Sequence, residues 1–572
     1  MPNFHYQVSI PQPASHLLLV QLTVTDWQED HLDLKMPVWS VGSYLIREYA
    51  RHVVTFSANT TFAKVAKNHW RLSALPSAQP IVVAYQIYAN ELTVRTNHVD
   101  QSHAFFNGSA TFCFVAGWLD HPYSVTIELP DPAWRIATAL PAIADNTFIA
   151  QSYHQLADSP FEVGEHRAYE FVVEQKPHRL VVWGEGNFDP GRAIPDISKI
   201  VQTEAEFWGG LPYDAYLFIL HLSAGGYGGL EHRDSCTLLF DRWSFSADKY
   251  LKFLNLLAHE FFHVWNVKRL RPASLFSIDY EQENYTHSLW FCEGVTSYYD
   301  QLITHRAGLC DRQQYLHQVS DSISRLQNTI GRKYQSLWES SFDAWIKLYR
   351  PDANSANSQV SYYLKGELVA MLLDLQIRMA SDYQRSLDDV LIGLWRKFGQ
   401  TETPYTDEQL LKEIEAIAQV DLSEFWQKYL FGTDELDYER FLAPFGLTLQ
   451  PQASSPVPYT GMTWHSQNGT LRVKSVDLHS PAQLAGIDVG DEIIALAGYR
   501  VNADNFGDRL CAYPPNAPVS LTICHQEQLC TVNLLIAEPR SDRWNILEVT
   551  NLTSTQAQRL SHWLRQPTPA SN

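Results

Sequence analysis

The sequence predicts a multidomain α+β chain. An all-β domain is expected over residues 1–170, a mixed and then helical domain over 171–450, a small strand-rich domain over 457–540, and a C-terminal helix and tail over 541–572. Three observations carry this. At 572 residues the chain is several times the ~150 residues of an ordinary domain. The period of its apolar residues changes from about two to about 3.6 and back again. Residues 450–458, rich in Pro and Ser, interrupt the chain where the second change occurs.

Each element follows from its local pattern. Residues 15–24, 31–36 and 80–88 are short runs of β-branched and aromatic residues, partly alternating, with Pro, Gly, Asn and Asp between them. Such runs fit strands of a sandwich-type domain. From about residue 171 the pattern shifts. Residues 179–184 and 216–222 read as strands, and residues 196–208 have helical spacing with Ile197, Ile200, Val201 and Phe207 as candidate core. A glycine-rich segment follows over 223–235, then a strand over 237–240. The next helix is expected to start at the N-cap type residue Ser246, with Asp248 in its first turn. Tyr250, Phe253, Leu254, Leu257, Phe261, Val264 and Trp265 then form one apolar stripe. Helical patterns recur over 288–306, 313–330, 360–380, 386–398, 407–418 and 422–430, with a loop over 351–358. Strand-like segments resume after the linker. Residues 554–564 read as a short amphipathic helix before a polar tail.

Composition excludes several partners. With 45% hydrophobic and 13% aromatic residues the chain can bury a large core, and its net charge of −20 disfavours nucleic acid and anionic membrane surfaces. Seven cysteines are scattered singly with no CxxC pair, which argues against a disulfide framework or a cysteine zinc site. No apolar run reaches the ~18 residues of a membrane span. Residues 1–6 read as a first strand, lacking the basic and apolar regions of a leader. A cytoplasmic, thiol-reducing setting is therefore expected.

The chemistry centres on His259-Glu260-Phe261-Phe262-His263. On a helix, positions i and i+4 share a face, so both imidazoles can reach one metal ion while the glutamate addresses a bound water. At ~100° per residue the two histidines fall opposite the apolar stripe. A catalytic zinc needs a third protein ligand and an open position. Glu293, in the apolar and aromatic stretch 289–299, is the candidate, because a carboxylate there is costly to bury unless coordinated or paired. Asp300, seven residues further on, is a candidate partner for a ligating histidine. His98 and His103 flank Asp100. They admit a second metal site or a polar loop at a sheet end, and the absence of a fixed ligand spacing favours the loop.

Taken together, residues 259–272 and 289–299 resemble the glycyl aminopeptidase family of zinc metallopeptidases, within the gluzincin group. Residues 36–47 resemble that family's N-terminal domain. The resemblance implies a thermolysin-like zinc peptidase domain over 171–450. It implies Zn2+ held by His259, His263 and Glu293, with Glu260 as the general base. Gly228, Gly229 and Glu231 match a Gly-x-x-Glu edge strand whose glutamate binds the substrate's free α-amino group; a flexible loop is the other reading of those glycines. Tyr363, in a Tyr-x-Lys-Gly pattern, matches the tyrosine that stabilises the oxyanion, with Tyr362 as its rival. Residues 480–494 resemble a PDZ domain, which captures a peptide C-terminus by strand addition, although Thr460 stands where that domain's carboxylate loop is usually apolar. The expected activity is removal of N-terminal residues, small ones such as Gly or Ala by family resemblance, from peptide substrates. The alternatives are a zinc endopeptidase on the same site and a PDZ-bearing adaptor with a vestigial zinc fold. The intact Glu260 argues against the adaptor.

Overall fold

The computed structural model describes residues 1–75 and 79–564. The Asp248 side chain and the polar tail over 565–572, both assigned above, lie outside the described residues. The chain divides into two compact units. The first comprises Met1–Tyr285, Tyr299–Leu309 and Leu391–Leu410; the second comprises Thr286–Tyr298, Cys310–Val390 and the chain from Leu411 onward.

The first unit opens as β-structure because its side chains alternate between core and solvent. Phe4, Tyr6 and Val8 of strand Asn3–Ser9 are buried, as are Leu18, Val20, Leu22 and Val24 of Leu17–Thr25. These strands pair antiparallel at the centre of a seven-stranded sheet, and Asn3–Ser9 runs parallel to Tyr123–Glu128 on its other side. Two four-stranded sheets complete this region, and the sheets share a core that includes Tyr85, Phe106, Tyr153 and Phe161.

A five-stranded sheet follows, in the order Arg167–Val173, Lys176–Trp183, Tyr216–Ser223, Ser235–Asp241, Tyr227–Glu231. Tyr216–Ser223 runs parallel to both neighbours and is buried along its whole length, which is why it reads as an unbroken apolar run. The glycine-rich segment supplies the edge strand Tyr227–Glu231, antiparallel to Ser235–Asp241. Helix Pro190–Trp208 begins earlier than its apolar pattern suggests, because Asp189 caps it by accepting from the Gly191 N–H and Pro190 occupies the first turn. Ile197, Ile200 and Val201 are buried as expected.

The second unit is helical as far as Phe445, built around Tyr362–Ala380, most of which is buried. This helix crosses the turn Trp290–Val295 at two glycines. A Cβ added to Gly294 would stand 2.5 Å from the Gly366 Cα. Strands Leu447–Gln452 and Arg543–Glu548 pair with each other, and the strand-rich region over 457–540 is the insertion between them. That region has its own core, including Val473, Ile493, Phe506 and Leu521. The C-terminal helix Ser554–Trp563 carries a Thr553/Gln556 capping box and buries Trp563. The Trp563 Nε1 donates to the Tyr298 hydroxyl at 2.9 Å, and its ring meets Phe445 edge-on.

Candidate active site

Helix Ala247–Phe262 lies with its stripe against the sheet. Phe261 packs edge-on to Tyr216, and Phe253 meets Phe240 and Phe245. Regular helix ends at Phe262, but His263 keeps a helical backbone (φ −63°, ψ −15°), so the four-residue spacing from His259 is preserved. The two imidazoles stand 4.8 Å apart with their planes at 87°. The His259 Nδ1 donates to Asp300 Oδ2 at 3.0 Å, and the His263 Nδ1 donates to the Asn266 carbonyl at 2.7 Å. With both Nδ1 atoms engaged, Nε2 is the nitrogen that each ring would offer a metal. Burial raises the Asp300 carboxyl above its ordinary value, opposed by the hydrogen bond to His259. Glu204, fully buried on helix Pro190–Trp208, is pushed well up by burial and by the charge of Asp300.

Two buried carboxylates face the same place. Oxygens of Glu231 and Glu260 and a ring nitrogen of His263 lie within 4.8 Å of one another. Glycines make this crowding feasible. A Cβ on Gly229 would stand 2.1 Å from Glu260 Oε1, and one on Gly42 would stand 2.4 Å from Glu231 Oε1. Gly42 also has φ +88°, a conformation that suits glycine. At Gly228 the space is open, with only the Arg95 Nη1 at 3.7 Å. Arg95 donates through Nη2 to the Gly229 carbonyl at 3.1 Å, holding the edge strand. Beyond Glu231, Asp158 accepts from the Arg233 N–H and from Lys268 Nζ, which ties the strand's end to the segment after the helix. Glu231 Oε1 is buried without a hydrogen-bond partner among the described residues.

In the second unit, Glu293 is buried within a turn of π-helix, Trp290–Val295. Regular helix continues from it as Thr296–Arg306, so Glu293 and Asp300 belong to one helical run. Tyr363 is half-buried, whereas the neighbouring Tyr362 is wholly buried. The Tyr363 hydroxyl lies 3.4 Å from that of Tyr349. Burial, the Glu293 charge and Tyr349 push its phenol well above the ordinary range. Two residues on, Lys365 is buried, and burial lowers its ammonium to about 8 against the pull of Glu435 and Asp434.

A profile of the M61 glycyl aminopeptidase family matches residues 252–369, and a profile of the M61 N-terminal domain matches residues 5–165. The solved aminopeptidase N family protein from Idiomarina loihiensis is 32% identical over 98% of this chain and all of its own, at a TM-score of 0.93. The chain belongs to the M61 glycyl aminopeptidase family. It is a peptidase. More distant are the M1 zinc metallopeptidase from Deinococcus radiodurans and yeast LTA4 hydrolase in complex with bestatin. The first is 13% identical, covering 76% of this chain and 95% of its own, at a TM-score of 0.48. The second is 12% identical, covering 78% and 70%, at 0.46. No curated protein matches the chain.

Within this M61 chain, sequence reasoning passed over Gly42, Arg95, Glu204 and Asn266. Two of them had a signal. Gly42 lies inside the N-terminal stretch that resembles the family, and Asn266 follows directly on the histidine helix. Arg95 and Glu204 had none, because only the tertiary structure brings them to the edge strand and to Asp300.

Proposed function

We propose that the protein is an aminopeptidase that removes small N-terminal residues, Gly or Ala, from peptides. His259, His263 and Glu293 would hold Zn2+. The chemistry of this donor set fits: both imidazoles are oriented through Nδ1, and Glu293 is a buried carboxylate seven residues before Asp300 on the same helical run. Zinc, when bound, supplies the Lewis acidity that makes water nucleophilic near neutral pH. Glu260 takes the proton of the attacking water and passes it to the leaving amine. The Tyr363 hydroxyl, kept protonated by its surroundings, donates to the developing oxyanion. Gly228 and Gly229 let the substrate backbone lie against the edge strand.

The observation that carries the exopeptidase reading is Glu231. It is a second buried carboxylate beside Glu260 and His263, with an oxygen that lacks a partner. A free α-ammonium of the substrate supplies the missing cation and fixes the distance from N-terminus to scissile bond. The test is hydrolysis of Gly- and Ala-anilides with and without chelator, beside the same substrates acetylated at the amine. Turnover that survives acetylation would identify an endopeptidase; no zinc-dependent turnover at all would refute the peptidase assignment of this site.

We further propose that residues 457–540 form a PDZ domain, in keeping with the domain division given above. Its strand Met462–Gln467 is at the sheet edge, where a peptide C-terminus would add. Trp464 of that strand packs edge-on to Phe506 at 4.9 Å, so a ligand must accommodate or displace an indole. A peptide C-terminus that protects the Met462–Gln467 amides from exchange would support the capture role. A cytoplasmic location rests on cysteines that are scattered singly along the sequence with no CxxC pair. No described helix is long and apolar enough to cross a membrane.

A further inference from the structure

His98, Asp100 and His103, which the sequence leaves as a polar loop, are assembled in the first unit with two more titratable side chains. Strand His103–Asn107 pairs with Pro160–Gly164, which brings in Glu162. Strand Tyr216–Ser223 brings His221. Glu162 accepts from His103 Nδ1 at 3.0 Å through Oε1 and from His221 Nε2 at 2.9 Å through Oε2, and all three side chains are wholly buried. Trp183 stacks on the His103 ring at 3.5 Å.

This arrangement fixes the His103 tautomer. The proton is on Nδ1, so Nε2 presents a lone pair, and that atom is buried without a hydrogen-bond partner among the described residues. A lone pair in that position needs a donor or a metal. Ligand atoms of His98, Asp100 and His103 lie within 4.8 Å of one another. His98 Nε2 and Asp100 Oδ2 are 3.3 Å apart, which is the edge of a tetrahedron with metal–ligand bonds of ~2.0 Å. The other Asp100 oxygen caps the turn, accepting from the N–H groups of Ser102 and His103. A histidine whose second nitrogen is held by a buried carboxylate is the arrangement found behind metal-ligating imidazoles. Asp100 is one-third exposed, which leaves an approach from solvent.

We propose that His98, Asp100 and His103 form a second metal site, with Glu162 as the positioning carboxylate for the His103 ring. Two imidazoles and one carboxylate favour Zn2+ over Mg2+ or Ca2+. The ion would brace the turn between His98 and His103, as a structural metal.

The test is the metal content of the intact protein after equilibration with zinc and removal of free ion. Wild type is expected to hold two zinc ions per chain. Asp100→Asn and His98→Gln should hold one and keep their chelator-sensitive turnover. His259→Ala, altered in the other site, should also hold one, and His259→Ala with Asp100→Asn should hold none. The total of two rests on the proposed peptidase site, but the loss of one ion on Asp100→Asn reports the second site whatever the first one holds. An Asp100→Asn chain that binds as much zinc as wild type overturns the proposal, since a buried water would then satisfy His103. If Asp100→Asn and His98→Gln fail to fold, His259→Ala decides: one retained ion supports the second site and none overturns it.

Discussion

The His259 Nδ1 donates to Asp300 Oδ2 across 3.0 Å, and neither side chain is more than 13% exposed. An ionised acceptor on Nδ1 both orients the ring and raises the basicity of Nε2. Asp300→Asn keeps the shape but removes the charge. It is expected to weaken zinc binding by about 10- to 100-fold, read by competition with a chromophoric chelator. Unchanged zinc affinity would show that Asp300 is a packing residue.

The two glycines beside the carboxylates separate two roles. Gly229→Ala places a methyl 2.1 Å from Glu260 Oε1, so the base must move. A displacement on that scale is expected to cost about 100-fold in kcat, with zinc content unchanged. Gly42→Ala intrudes instead on Glu231 and also strains a backbone at φ +88°. Its penalty should fall mainly on KM for substrates with a free amine. Steady-state kinetics of both variants on one Ala-anilide checks the split, and equal effects on kcat would contradict it.

Both glycines also show what was legible in the sequence. The histidine helix was readable because its core stripe and its ligands occupy opposite faces of one period, a local property. The buried strand Tyr216–Ser223 was readable from another local property, its unbroken apolar run. The role of Gly229 was open between loop and strand, since only the antiparallel pairing with Ser235–Asp241 turns a glycine run into an edge. Gly42 and Glu231 come together over nearly two hundred residues, which no local pattern encodes. Helix Leu337–Phe342 was overlooked although its Ser336/Glu339 capping box stands in the sequence, because six residues are too few for an apolar period to show.

Lys365 gives a prediction in pH. Its ammonium is buried, 2% exposed, and titrates near 8 in the fold against 10.5 unfolded. Below pH 8 both states hold the proton and the burial cost stands in full. Between 8 and 10.5 the unfolded chain holds more proton than the folded one, so stability rises with pH and the cost is gone above that window. Lys365→Met should therefore stabilise the protein at pH 7 by at most about 3 kcal/mol, and the gain should shrink towards pH 10.5. Urea unfolding at pH 7 and pH 10 measures it, and a gain independent of pH would refute burial of the charge as its cause.

Trp563 closes the helical part from the far end of the chain. Its indole is fully buried, and its Nε1 donates to Tyr298, whose hydroxyl donates in turn to Asp374 Oδ2 at 2.7 Å. Tyr298 follows Glu293 on the same helical run, so the C-terminal helix supports the segment that carries a proposed zinc ligand. Removing the ring leaves a cavity and a buried hydroxyl short of one donor. Trp563→Ala is expected to cost about 3–5 kcal/mol, read as a lower urea midpoint. Trp243→Ala serves as the control, since that ring is 67% exposed and its loss should change stability by less than about 0.5 kcal/mol. If the two variants unfold alike, the C-terminal helix is an appendage, and the support it lends to the Glu293 segment is lost as an explanation.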